Sequence, residues 1–253
     1  MLPGRLLHRL FPQLVTGTHC SVNYQAAQVV SNQASIEKFP HWSLINTYEG
    51  MNGVDGLWLN EKILSSFSTY NPDTNQGNGI AAIIEQFDLL AAVPQRSLAD
   101  VAKYSAYLSH IVTDIYTPPH QHGQLIEPRQ RRWYGLWPIR DDWQEGHQWG
   151  HTKFEWMALL RLLTKSFRRG RLNKSLIRQW QRTSDSRIVL QTFFQQQTKA
   201  VRRLNIYPEY LRLGWTKRID ISMRRVVIPR IVSTVATLWY LAALKRSAPH
   251  HYW

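Results

Sequence analysis

Five side chains between positions 110 and 155 of this 253-residue chain are of the types that hold divalent cations, and they stand at informative offsets. His110 and Asp114 are four residues apart, and so are His151 and Glu155. On helices, each pair projects from one face, one turn above the other. Pro118 and Pro119 stop the first of these helices, and His120 follows where the backbone is already turning away. Imidazole nitrogens and carboxylate oxygens at such spacing are the donors of a zinc cluster. One His/Asp or His/Glu pair alone more often makes only a side-chain hydrogen bond. Two pairs, plus a histidine fixed behind a double proline, favour a metal site.

Those residues need rigid elements to carry them, and the sequence supplies helices. Thr18–Ser31 reads as a helix with Thr18 as N-cap, and Gly79–Val93 as a second, stopping at Pro94. Ser97-Leu-Ala-Asp100 reads as a capping box that opens a helix running to about Tyr116. Val101, Tyr104, Tyr107, Leu108 and Ile111 form its apolar stripe, and His110 and Asp114 border it. Further helices are expected at His151–Phe167, Asn173–Thr183, Ser186–Leu204 and Thr216–Leu244, the last broken or kinked at Pro229. No run of alternating β-branched residues is bounded by hairpin dipeptides, so the expected fold is all-α. Two long loops interrupt it, about Glu37–Gly56 and Gln121–Trp149, and loops of that length inside a domain are usually functional.

Length and composition fit one folded domain over 1–253, with 1–15 and 246–253 as peripheral tails. The chain is 43% hydrophobic and 19% charged, and its one cysteine, Cys20, rules out an intrachain disulfide. The formal charge of +14 favours anionic partners such as phospholipid surfaces, nucleic acid or phosphate-bearing substrates. Met1–Val15 is broken by Arg5, His8 and Arg9, so no secretory leader is read there, and the compartment stays open. Ile231–Leu244 is an uncharged run of 14 residues. A membrane span needs ~20, so a buried core helix is expected.

The motifs His110-x3-Asp114-Ile-x-Thr-Pro-x-His120 and Gly150-His151-x-Lys-Phe-Glu155 resemble the zinc-dependent bacterial phospholipases C. That family includes the clostridial alpha-toxin catalytic domain and belongs to the P1/S1 nuclease superfamily. Thr16-Gly-Thr-His19 resembles its first ligand histidine, Asp55 lies where a ligand aspartate is expected, and Tyr70-Asn-Pro-Asp-Thr74 resembles an aromatic-Asp-Pro-Asp-Thr segment. The resemblance implies an all-helical domain with one to three zinc ions. One site would use His120, His151 and Glu155. A second would use His110, Asp114 and Asp55, and a third would share Asp114 as a bridge and use His19. Two positions depart from the family. Ser68 stands where it has another ligand histidine, which His41 or water would have to replace. The family's mature N-terminus is a tryptophan, whereas the first tryptophan here is Trp42.

The activity implied is phospholipase C hydrolysis at the glycerol side of the phosphate, giving diacylglycerol and a phosphorylated head group. Asp55 and Glu155 are the candidate catalytic carboxylates. The loop 121–149 interleaves Trp133, Tyr134, Trp137, Trp143 and Trp149 with Arg129, Arg131, Arg132 and Arg140, which suits a phospholipid or membrane surface. The same residues would suit a single-strand nuclease, whose substrate stacks on aromatic rings and contacts cations. Glu155 and the Asp-Ile-x-Thr-Pro-x-His wording lean toward the lipases. A third reading is a catalytically degenerate binding module of the same fold.

Overall fold

The computed structural model describes residues 17–33, 39–49, 69–93, 97–122, 153–160, 170–183 and 185–247. Their chain order is α1 (Gly17–Ser31), α2 (Trp42–Asn46), α3 (Gly79–Ala92), α4 (Leu98–Tyr116) and a 3-10 turn (Pro118–His122). A helical segment at 153–160 comes next. It is followed by α5 (Lys174–Gln181), α6 (Ser186–Arg202), α7 (Ile206–Leu213), α8 (Lys217–Ser222), a π turn (Met223–Val227) and α9 (Ile228–Ser247). The fold is all-α. No strand occurs among the described residues, where the one extended pairing is an isolated bridge between Asn71 and Gln76.

The core is organised around α9. Ile231, Val232, Val235, Leu238, Trp239, Leu241 and Ala242 are all buried, and the helix packs against α1, α3 and α4. Burying one such aliphatic or aromatic side chain stabilises the fold by roughly 1.5–3 kcal/mol, so a helix apolar on nearly every side belongs at the centre. Lys217–Ser247 is long and apolar enough to cross a membrane, yet 78% of its apolar window is buried inside the protein. The run Ile231–Leu244 is thus a core helix, as its length suggests. Trp239 is fully buried and donates its indole N–H to the Ser105 carbonyl of α4 at 3.2 Å.

Four local expectations change. Of the break or kink expected at Pro229, the break does not occur. The π turn Met223–Val227 precedes it, and the Ile228 N–H reaches the Met223 carbonyl, so the ladder widens just where the proline ring would meet it. Ser97 does not cap a backbone N–H; its hydroxyl donates to the Asp100 carboxylate instead. Thr18 lies inside the first turn of α1, which already includes Gly17. The stretch 37–56 is not wholly loop, because α2 lies within it, capped by His41.

The sequence also gave no hint of α7. Pro208 occupies its first turn, where the missing N–H costs no helical hydrogen bond. Arg246 and Ser247 belong to α9 rather than to a tail, and Arg246 donates to the Leu90 carbonyl at 2.8 Å.

Candidate metal centre

Asp114, near the C-terminal end of α4, is the hub of the site. It is 5% exposed, a depth at which a carboxylate needs partners. Its Oδ1 lies 3.6 Å from His19 Nε2 and 3.8 Å from His120 Nε2, and its Oδ2 lies 3.4 Å from His110 Nε2. His120 Nε2 is also 3.3 Å from Glu155 Oε1. Three imidazoles and two carboxylates from α1, α4, the 3-10 turn and the segment 153–160 therefore converge.

The sequence explains how each side chain arrives. His110 and Asp114 share a face of α4 by their i, i+4 spacing. The helix stops at Thr117, whose ψ of 122° is the extended geometry imposed on a residue before proline. Its N–H still reaches back to the Asp114 and Thr113 carbonyls. Pro118 and Pro119 then enter a 3-10 turn in which His120 N–H donates to the Thr117 carbonyl at 3.0 Å. Gln121 secures that turn by donating to the Ile115 carbonyl at 2.9 Å. The double proline thus folds His120 back over Asp114. From another helix, α1 brings His19 in, and Gly17 allows a close approach: a Cβ there would lie 2.3 Å from Leu159 Cδ1 of the segment that carries Glu155.

The His19 and His110 rings stack, with centroids 4.1 Å apart and planes 7° from parallel, and they address different oxygens of Asp114. His19 Nδ1 is buried without a hydrogen-bond partner. Burial by itself lowers the His110 pKa, but Asp114 and Glu49 outweigh it and hold the imidazolium well above its ordinary range. His120 is raised as well: burial opposes protonation, and Asp114 and Glu155 overcome it. Burial would raise Asp114, yet His120 and His110 draw it down to about 2.

Glu49 was not expected. It follows α2, is 2% exposed, and places Oε2 3.1 Å from His110 Nδ1. The ligand atoms of His19, Glu49 and His110 all lie within 4.8 Å of one another, so this group could hold a metal ion. Its sequence signal is weak, since an acidic residue in a long irregular stretch has no periodic partner. Asn23, four residues after His19, is the one local hint.

Of the predicted site residues, His19, His110, Asp114, His120 and Glu155 are brought together, while Asp55 and His151 lie outside the described residues, as does Ser68. His41 does not join the cluster. It is exposed, and its Nδ1 is 2.7 Å from Ser43 Oγ at the start of α2. Asp73 of the Tyr70–Thr74 segment pairs with Arg202 at 2.7 Å. Of the loop 121–149, only Gln121 and His122 are described. In comparisons with known proteins, no family model, curated protein or solved structure matches the chain.

Proposed function

We propose that this protein is a zinc-dependent phosphoric-ester hydrolase, and specifically a phospholipase C that releases diacylglycerol and a phosphorylated head group. The observation that carries the reading is the position of Asp114, one oxygen toward His19 and His120 and the other toward His110. A carboxylate so placed can bridge two cations and offset their repulsion, which no neutral imidazole can do.

The donor set fits zinc. Zinc bonds to nitrogen and oxygen of about 2.0–2.1 Å put neighbouring ligands of a tetrahedral ion about 3.3 Å apart. The four N···O pairs around Asp114 and His120 span 3.3–3.8 Å, mostly longer than good hydrogen bonds and close to that ligand spacing. The orphaned His19 Nδ1 is a further donor atom without a protein partner. His19, His110, Asp114, His120 and Glu155 would hold the metal, and the family resemblance adds Asp55 and His151. When bound, zinc supplies Lewis acidity toward a phosphoryl group and makes water a competent nucleophile near neutral pH.

The chain's own residues orient and exclude. Asp114 and its three imidazoles are largely buried, which fixes the donors in advance and keeps bulk water out. Glu155, with its side chain 44% exposed, stands at the rim, where a metal it helped to hold would stay open to substrate and water. Trp156 and Leu160 are exposed on that same segment, an apolar edge beside the site that favours a lipid substrate.

The test is release of phosphorylated head group from phospholipid vesicles by zinc-loaded protein, run beside degradation of single-stranded DNA. Vesicle hydrolysis that Asp114→Asn abolishes is the expected result. Cleavage of DNA alone would make the chain a nuclease, and tight zinc binding with neither activity would make it a binding module.

A further inference from the structure

Carboxylates approach His110 at both ring nitrogens, and the two approaches differ in kind. Nε2 faces Asp114 Oδ2 at 3.4 Å, whereas Nδ1 meets Glu49 Oε2 at 3.1 Å, an ordinary N–H···O length. A carboxylate oxygen only accepts, so the proton at that contact sits on Nδ1. A neutral ring protonated there directs its lone pair from Nε2, toward Asp114. Glu49 is anchored in turn: Asn23 donates from Nδ2 to Glu49 Oε1 at 2.8 Å and contacts Asn46 Oδ1 at 3.0 Å. Asn23 is fully buried, so this arm is built into the packing of α1 against α2 and α4.

We propose that Glu49 is a positioning residue that fixes the tautomer and aim of His110, with Asn23 holding it in place, and that it is not itself a metal ligand. Distance alone groups Glu49 with His19 and His110. Direction separates it: its Oε2 meets Nδ1, the ring nitrogen turned away from the one that faces Asp114, and its Oε1 accepts from Asn23. Carboxylates that accept from the far nitrogen of a metal-binding histidine raise its basicity and lock its orientation, and removing one typically lowers metal affinity 10–100-fold. This inference rests on the metal reading above.

Cobalt(II) titration of the full chain tests it, with the visible spectrum reporting coordination, on wild type, Glu49→Gln, Glu49→Leu and Asp114→Asn. Circular dichroism and the unfolding midpoint of each metal-free protein monitor folding. Glutamine can still accept from Nδ1, and Asn23 Oδ1, buried without a partner, is available to its amide if the Asn23 side chain turns over. Glu49→Gln should bind as many cobalt ions as wild type, with unchanged band positions and affinity lowered about 10–100-fold. Glu49→Leu should lose more affinity, and Asp114→Asn should lose the ion. Loss of an ion or a new band pattern in Glu49→Gln would make Glu49 a ligand, and wild-type affinity in both Glu49 variants would remove it from the site. A wild type that takes up no cobalt would overturn the metal reading along with this inference, a pattern unlike either.

Discussion

At the scale of single residues, Asp114 has two oxygens facing different imidazoles, and that division of labour is what an amide cannot reproduce. Asp114→Asn should lower zinc affinity more than about 100-fold, beyond the range of an outer-sphere partner, as measured by competition with a chromogenic chelator. Glu155 differs because its side chain is 44% exposed. Glu155→Gln should therefore cut vesicle hydrolysis while shifting the unfolding free energy by no more than about 0.5 kcal/mol. A large loss of stability in that variant would mean that the rim carboxylate is structural. The i, i+4 pair and the double proline made His110, Asp114 and His120 legible in the sequence, since each is placed by local geometry. Glu49 was not legible, because Asn23 and His110 meet it only after three helices have packed.

At the scale of elements, a long segment with a regular apolar stripe could be read directly, and α4 runs to Tyr116 as its spacing predicts. The five residues of α2 are too short to show a period and the eight of α7 carry a proline, so tertiary packing rather than propensity makes them helical. The segment before α5 shows how the centre of the fold is tied together. Arg171 N–H donates to Ser233 Oγ at 3.0 Å and Asn173 N–H to Thr237 Oγ1 at 2.8 Å, both on α9. Gly170 permits that approach, because a Cβ there would stand 2.5 Å from Val232 Cγ1 and 3.1 Å from the Ser233 backbone nitrogen. Gly170→Ala should destabilise the protein by about 1–3 kcal/mol in urea unfolding, the cost of overpacking a close contact. An unchanged midpoint would show that the segment sits further from α9.

At the scale of the whole molecule, the charged cluster links stability to pH and, on the proposed reading, to zinc. His110 and His120 are raised above the ordinary 6.5, so their contribution in the metal-free protein is complete below about 6.5 and is lost as pH rises through their folded values. Asp114 falls from 3.8 to about 2, so its contribution is present above 3.8 and is lost as pH falls toward 2. The metal-free protein should thus be most stable between roughly pH 4 and 6.5, as a thermal-unfolding series in chelator would show. Zinc requires neutral imidazoles, so the gain in melting temperature on adding zinc should grow with pH over the range where the metal-free protein weakens. The most direct test of the central claim is an anomalous-scattering map of crystals grown with zinc. The account predicts at least one peak within bonding distance of Asp114, with His110 or His120 also bound to it; a map with no peak there, or with zinc held only by surface residues, would contradict it.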